Sequence, residues 1–377
     1  MGVTSRHEHS LLVVTESASS WGAEASLIEL LKGLPPSWRA TVLVAANSPL
    51  LAIEPPARVT IKTYGFASHP ALRSGSFRSS TTRERVEEAL SLLKGALRAR
   101  RVTRQHDVVL GFSLWQCPEF LMGARLSRTP FVLDLHDDFS GGVVNRIVRA
   151  MAAASAAVIA PSQHVFTRYG LTTGGRVHIV PRPVPAAADP VAARPRDPSR
   201  PLRVGMFGQI APHKGVVDLI SAAESLPKGL VELTVVGGTS PSSRSQYEAE
   251  CAERIAALGD ASRLLARVPD IEQYARSCDV IVNLSHQEAF GRSIVEALAH
   301  GALPVVLAGS GPAEIVQDTG HGVVLASSAV LAETLARLAE GSEPEMASPD
   351  TDSMLMRYAP DRATAAYWTV ATHAAKR

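Results

Sequence analysis

The chain has 377 residues, 46% of them hydrophobic and 20% charged. That length exceeds one ordinary core and predicts two domains, and the composition excludes a disordered or fibrous chain. With 38 basic against 36 acidic residues the net charge is only +2, so bulk charge names no partner and no nucleic acid is expected. Cys117, Cys251 and Cys278 have no paired spacing, which argues against a disulfide scaffold or a zinc ribbon and for buried thiols in a reducing compartment. No stretch is long and apolar enough to span a bilayer. Leu11-Leu-Val-Val14 is too short for a signal-peptide core, so a cytoplasmic chain is expected.

In chain order, strand signals alternate with helix signals, the mark of an α/β fold. Leu11 to Thr15 predicts a strand and Ala23 to Leu34 a helix. Strands follow at Ala40 to Ala45 and Val59 to Thr63. Thr82 to Arg101 predicts a long amphipathic helix with Val86, Ala89, Leu90, Leu93 and Leu97 on its apolar face. Short apolar strands are predicted at Asp107 to Gly111, Phe131 to Leu135, Ala156 to Ala160 and Val177 to Val180. A proline-rich polar stretch then runs from Pro181 to Pro201 and reads as a linker with extended bias. A second βαβ series begins at Leu202 to Phe207 and continues through Val217 to Leu226, Val231 to Val236, Tyr247 to Leu258, Ile271 to Ser277, Val280 to Leu284, Ser293 to His300, Leu303 to Leu307 and Val323 to Leu325. The last helix is predicted over Asp361 to Ala375.

The most informative stretch is Glu288-Ala-Phe-Gly-Arg-Ser-Ile-Val-Glu296. An apolar strand precedes it, and Ile294 to Ala299 read as a helix stopped at Gly301. A strand, a glycine turn and a helix start point backbone N–H groups outward, which suits an anion. Carboxylates do not bind phosphate; they accept hydrogen bonds from hydroxyls. The pair therefore suggests a ligand carrying both phosphate and many hydroxyls, and a nucleotide sugar fits that description.

Other segments fall into one pattern with this block: Trp21-Gly-Ala-Glu24, His136-Asp137, Gly205-Met-Phe-Gly-Gln-Ile-Ala-Pro-His-Lys-Gly215 and Ser310-Gly-Pro-Ala-Glu-Ile-Val316. On these residues the chain resembles the retaining family-4 glycosyltransferases (glycosyl transferases group 1). The resemblance implies a GT-B fold: two facing Rossmann-like domains, a deep cleft between them and a C-terminal helix crossing back to the N-terminal domain. The boundaries expected are an N-terminal acceptor-side domain over 1–185, a proline-rich linker over 186–200, a nucleotide-sugar-binding domain over 201–358 and a C-terminal helix over 359–377.

The same resemblance implies roles. Glu288 contacts donor-sugar hydroxyls and Glu296 the nucleotide ribose. Backbone N–H groups of Phe290, Gly291 and Arg292 hold the diphosphate. Lys214 neutralises the leaving diphosphate. Gly22 belongs to a turn that approaches the phosphates, and Trp21, where the family has glycine, lines the acceptor side or the core. His136 contacts the donor sugar. The catalytic set is thus His136, Lys214 and Glu288, and the donor-binding set is Gly22, Gln209, Phe290, Gly291, Arg292 and Glu296. Gln209 departs from the family, which has arginine there, so a charge-assisted bond is replaced by a weaker one. Val180-Pro-Arg-Pro-Val184 departs too, and touches no chemistry that the sequence names.

Each position has a plainer reading: a solvated lysine, a helix-face glutamate, a structural histidine. Asp137 and Asp138 read as orienting their loop. Glu314 shapes a sugar pocket or simply complements a helix N-terminus. Asp350-Thr-Asp352 imitates a metal motif but sits in a polar loop, so no metal and no other cofactor is expected. Lys94, Arg98, Arg100, Arg101 and Arg104 read as a solvated helix end; the alternative is weak peripheral contact at the inner face of the membrane. The partners expected are a nucleoside diphosphate sugar and a hydroxyl-bearing acceptor, whether glycan, glycolipid or small molecule. The expected activity is transfer of the sugar with retained configuration. The rivals are another GT-B enzyme, such as a phosphorylase or a nucleotide-sugar epimerase, and a catalytically weak binding protein derived from a transferase.

Overall fold

The computed structural model describes residues 8–17, 22–67, 81–138, 142–192, 196–239, 246–268, 271–342 and 351–376. The first series of elements is β1 (His9–Val14), α1 (Gly22–Lys32), β2 (Trp38–Val44), β3 (Val59–Thr63), α2 (Thr82–Thr103), β4 (Val108–Gly111), α3 (Cys117–Ser127), β5 (Phe131–Asp134), α4 (Gly142–Ala154), β6 (Ala157–Ala160), α5 (Gln163–Tyr169) and β7 (Val177–Ile179). The second is β8 (Leu202–Gln209), α6 (Val216–Glu224), β9 (Val231–Gly238), α7 (Gln246–Ala257), β10 (Arg263–Leu265), α8 (Glu272–Ser277), β11 (Val280–Asn283), α9 (Arg292–Ala299), β12 (Leu303–Leu307), α10 (Gly311–Thr319), β13 (Val323–Leu325), α11 (Leu331–Ala339), α12 (Thr351–Leu355) and α13 (Pro360–Ala375).

Two parallel sheets result, one of seven strands in the order β3-β2-β1-β4-β5-β6-β7 and one of six in the order β10-β9-β8-β11-β12-β13. The chain divides accordingly into two compact units, Met1–Pro183 with Ala363–Arg377, and Val184–Arg362. Parallel sheets covered by helices bury both strand faces, so their strands are continuous apolar runs rather than alternating ones. Leu11, Leu12, Val13 and Val14 are all fully buried. The predicted strands appear with ends shifted by a residue or two. The additional β10 holds only Arg263, Leu264 and Leu265 at one edge of its sheet, too short to give a pattern. Helices α3, α4, α5, α10, α11 and α12 have no counterpart among the predicted elements.

Helix α2 turns the expected way in position and the opposite way in rotation. Thr81 caps it through a reciprocal pair, Thr81 N–H donating to Glu84 Oε2 at 2.7 Å and Glu84 N–H to Thr81 Oγ1 at 3.3 Å. Its buried residues are Glu88, Gly95, Ala96, Ala99 and Thr103. The stripe that reads as core, Val86, Leu90, Leu93 and Leu97, stays 53%, 49%, 47% and 50% exposed. The cause is the partner helix α3. A Cβ on Gly123 would lie 2.8 Å from Ala99 Cβ and 2.8 Å from the Arg100 nitrogen. Small residues on both helices let the backbones approach closely, and the leucines could not enter that contact.

One buried carboxylate gathers three distant segments of the first unit. Asp134, at the end of β5, is 1% exposed. Arg182 grips it with both Nη atoms, one at 2.8 Å. The Tyr367 hydroxyl of α13 donates to it at 2.5 Å, and His136 Nδ1 lies 2.9 Å away. Next along α13, Trp368 donates to the Leu30 carbonyl at 2.9 Å. The 180–184 segment was expected to touch no chemistry, and here the structure corrects the sequence reading. Arg182 is 3% exposed and spans the Phe112 and Tyr367 rings, 5.7 and 5.9 Å from their centroids. Burial alone would raise the Asp134 pKa, but Arg182 and His136 outweigh it and hold it well below the usual carboxylate range. Burial and the Asp134 charge push the Tyr367 phenol well up, so it stays protonated and donates.

Two predictions test this packing. Gly123→Val should destabilise the first unit by about 1–3 kcal/mol through overpacking, whereas Leu93→Ser should change stability by no more than about 0.5 kcal/mol, as exposed sites do. Denaturant unfolding compares them, and a larger loss for Leu93→Ser would mean that the stripe is core. Asp134→Asn should cost about 3–5 kcal/mol by leaving Arg182 buried without its counter-charge. Because the folded pKa is depressed, the stability from Asp134 ionisation is present above its unfolded pKa of about 3.9 and is lost as pH falls below it. The wild-type chain should therefore show an acid-side loss of stability that the variant lacks, measured as unfolding midpoints between pH 7 and pH ~3.

Candidate functional site

In the second sheet β8 and β11 are neighbours, but β8 leads outward to β9 and β10 while β11 leads the other way to β12 and β13. Such a reversal leaves a crevice beyond the carboxyl ends of the two central strands, where ligands of open α/β sheets bind. Lys214 follows β8 in a short 3-10 turn, Pro212–Lys214, that leads into α6. Glu288 follows β11. Lys214 Nζ donates to Glu288 Oε2 at 2.6 Å, joining residues 74 apart in sequence. Both side chains keep about a quarter of their surface in solvent. Gln209 ends β8 beside Gly238 of β9. His213, next to Lys214, has its pKa lowered by burial and by the lysine charge.

The turn carrying Glu288 is locked by its backbone. Ser285 N–H donates to Asn283 Oδ1 at 3.1 Å, and Gln287 N–H to Ser285 Oγ at 3.3 Å. Gly311 N–H donates to the Glu288 carbonyl at 2.9 Å. A Cβ at Gly311 would sit 2.2 Å from the Ala289 oxygen, so only glycine fits against this turn. Gly291 has φ 91° and a Cβ there would meet Pro312 Cγ at 2.6 Å. Gly291 is the N-cap of α9 and offers no capping side chain. The first turn of α9 thus presents backbone N–H groups with the positive end of the helix dipole. Phe290 is buried, its ring 5.8 Å from that of Tyr358, so only its backbone serves the turn.

Within α9, Arg292 Nη2 lies 3.7 Å from Glu296 Oε1. Burial pushes the Glu296 carboxyl up, and Arg292 opposes the shift. Beyond β12, Ser310 caps α10, accepting from Ala313 N–H at 3.3 Å and donating to the Leu307 carbonyl at 2.7 Å. Glu314 lies in the first turn of α10, the place of a helix N-terminal carboxylate.

The first sheet has its own reversal at β1 and β4. Glu16 follows β1 and Gln116 follows Leu114 and Trp115 after β4; Gln116 Nε2 donates to Glu16 Oε2 at 3.3 Å. Ser17, held at φ 42°, donates through Oγ to Glu24 Oε1 at 3.2 Å. Gly22 is the first residue of α1, and its carbonyl accepts from Ser26 Oγ at 2.9 Å. Trp21 lies outside the described residues. His136 follows β5, its ring 4.3 Å from that of Phe112. Its Nδ1 carries the proton toward the Asp134 carboxylate, which turns Nε2 the other way, 3.9 Å from Asp137 Oδ1. Burial opposes charging of this imidazole, but Asp137 and Asp134 together raise its pKa. Asp138 accepts from His164 Nε2 at 2.9 Å and Arg168 Nε at 3.0 Å, and the Tyr169 hydroxyl donates to the Asp137 carbonyl at 2.8 Å. These bonds hold the 136–138 loop through the Asp138 carboxylate and the Asp137 backbone carbonyl.

The structure therefore brings Lys214, Glu288, Gly291, Arg292 and Glu296 around one reversal point, and sets His136 and Gly22 in the other unit. Sequence reasoning missed Asp134, Arg182, Tyr367, Glu16 and Gln116. The one available signal was Asp134 itself, an acid at the end of an apolar strand; its partners lie too far along the chain to be paired by inspection. Asp350 lies outside the described residues, and Thr351 opens α12. Among the described residues no three His, Cys, Asp or Glu side chains form a metal-binding group, and no helix is long and apolar enough to cross a membrane.

Comparison with known proteins bears on the fold. Residues 192–349 match the family model described as Glycosyl transferases group 1. No match is found among curated proteins. Among solved structures, the chain is similar to HepE of Anabaena in complex with UDP-glucose, with TM-score 0.69 and 20% identity, covering 98% of each chain. It is similar to a glycosyltransferase from Rickettsia africae, with TM-score 0.73 and 16% identity, covering 98% of this chain and 99% of that one. It is also similar to a trehalose-6-phosphate protein from E. coli bound with UDP-2-fluoro glucose, with TM-score 0.67 and 12% identity over 98% and 99% of the two chains. The chain has the GT-B fold, two Rossmann-like units with parallel sheets of seven and six strands.

Proposed function

We propose that this chain is a glycosyltransferase that moves a sugar from a nucleoside diphosphate sugar to an acceptor hydroxyl with retained anomeric configuration. The observation that carries the reading is the Lys214–Glu288 pair at the β8/β11 reversal, beside the uncapped start of α9. An ammonium has three donors. One held on Glu288 leaves two for a diphosphate, so a single lysine can serve both the anion and the carboxylate that accepts sugar hydroxyls. The first turn of α9 adds backbone donors to the diphosphate, and Arg292 adds a cation at the same helix end. Glu296 accepts from the ribose hydroxyls. Gln209, neutral where the resembled family has arginine, leaves more of the leaving-group charge to Lys214 and to α9. UDP-sugars are the first donors to examine, because the similar HepE and trehalose-6-phosphate structures were obtained with them.

Retention is inferred from the resemblance, which implies front-face transfer, and no side chain of the proposed set is placed as a covalent nucleophile. His136 is neutral or cationic and committed to Asp134 through Nδ1, and no site carboxylate is assigned to attack the anomeric carbon. The leaving diphosphate then takes the proton of the acceptor hydroxyl on the same face of the sugar. The acceptor oxygen forms the new glycosidic bond as the sugar–phosphate bond breaks.

A thermal-shift screen of UDP-, GDP-, ADP- and dTDP-sugars should show one class raising the melting temperature. With that donor, Lys214→Ala, Glu288→Ala and Glu296→Ala should each lower transfer by about 100-fold or more; near-normal rates in all three would refute the assignment. The anomeric configuration of the product, read by NMR, should match that of the donor, and an inverted product would overturn the retaining step.

A further inference from the structure

The rotation of α2 leaves an apolar face turned to solvent. Val86, Leu90, Leu93 and Leu97 recur at i, i+4, i+7 and i+11, so they form one continuous stripe about 16 Å long. Each is about half exposed, and on the neighbouring α3 Met122 and Leu126 are exposed as well. Stripes of this kind on a soluble surface mark an interaction site.

The charges around the stripe identify its partner. From Ala89 to Arg104 the chain carries Lys94, Arg98, Arg100, Arg101 and Arg104 and no carboxylate. Lys94 sits one turn after Leu90, and Arg101 one turn after Leu97, so cations border the leucines directly. Arg98 gives one Nη2 bond, 2.9 Å long, to the Gly65 carbonyl. The carboxylates at the helix start are committed elsewhere. Glu84 closes the Thr81 cap, Glu87 pairs with Arg83 at 2.9 Å, and Glu88 is buried. A second copy laid along α2 would bring cations against cations, with few carboxylates left to answer them. An anionic lipid surface answers both halves of the pattern, phosphates for the cations and the acyl boundary for the leucines.

We propose that the outer face of α2 docks the protein on an anionic lipid bilayer, with Val86, Leu90, Leu93 and Leu97 in the headgroup–acyl boundary and Lys94, Arg101 and Arg104 against lipid phosphates. This goes beyond the donor reading and does not rest on it. The test is sedimentation of the full chain with vesicles of phosphatidylcholine alone and of phosphatidylcholine with phosphatidylglycerol. The wild-type protein should sediment only with the anionic vesicles and be released as salt rises. A Leu90→Ser, Leu93→Ser, Leu97→Ser variant should lose binding while keeping its circular dichroism and melting temperature. Lys94→Gln and Arg101→Gln should each lower the partition coefficient about fivefold. Absence of binding to anionic vesicles, equal binding to neutral ones, or undiminished binding by the triple variant would overturn the proposal. So would a concentration-dependent dimer, dispersed by the triple variant, in a protein that ignores vesicles; the occupant would then be a second copy of the chain.

Discussion

A carboxylate removed from water must be matched by charge and hydrogen bonds, or it destabilises the fold by several kcal/mol. Asp134, 1% exposed, is such a case, and three segments of the first unit converge to satisfy it. Arg182 must leave β7 at the point where its two Nη atoms reach both carboxylate oxygens. Helix α13 must return to the first unit with Tyr367 facing inward, which also directs Trp368 at the Leu30 carbonyl. The same carboxylate fixes the proton of His136 on Nδ1 and so decides which nitrogen the imidazole offers. Fold and site thus share one atom group, and a change there reaches both.

The second unit positions its residues by steric interlock instead. Gly311 lies against Ala289, and Gly291 against Pro312, at distances that exclude any side chain. With the Gly311–Glu288 backbone bond, these contacts hold the turn after β11 without a buried ion. The Lys214–Glu288 pair remains part-exposed, and a pair in that setting contributes little to stability. Its consequence is positional: it brings the ends of two central strands to one point, where the α9 start also opens.

The elements legible in the sequence were those with a local cause. Strands buried on both faces are apolar runs, so β11, β12 and β13 could be read directly. The turn around Gly291 announced itself by an apolar strand before it and a helical pattern after it. The failures have a common origin in distance along the chain. Hydrophobic periodicity placed α2 but chose the wrong face, because the deciding surface, Gly123 on α3, belongs to another helix with no strong pattern of its own. Arg182 looked inert between two prolines because Asp134 lies 48 residues earlier and Tyr367 lies far later. Glu16 and Gln116 stand 100 residues apart and meet only because β1 and β4 are neighbours.

The two reversal points differ in chemistry in a way that neither sheet order nor helix placement requires. Beyond β8 and β11 stand Lys214, Arg292 and the α9 N-terminus, where the carboxylates Glu288 and Glu296 each have a cation within reach. Beyond β1, β4 and β5 stand Glu16, Asp137 and Asp138, with Asp138 held by His164 and Arg168. In the proposed reading a diphosphate meets two cations and free-ended backbone donors in the first setting, whereas a hydroxyl can donate to carboxylates in either. For the proposed reaction, which joins an anionic donor to a neutral hydroxyl acceptor, that asymmetry supports placing the donor phosphates at the second unit.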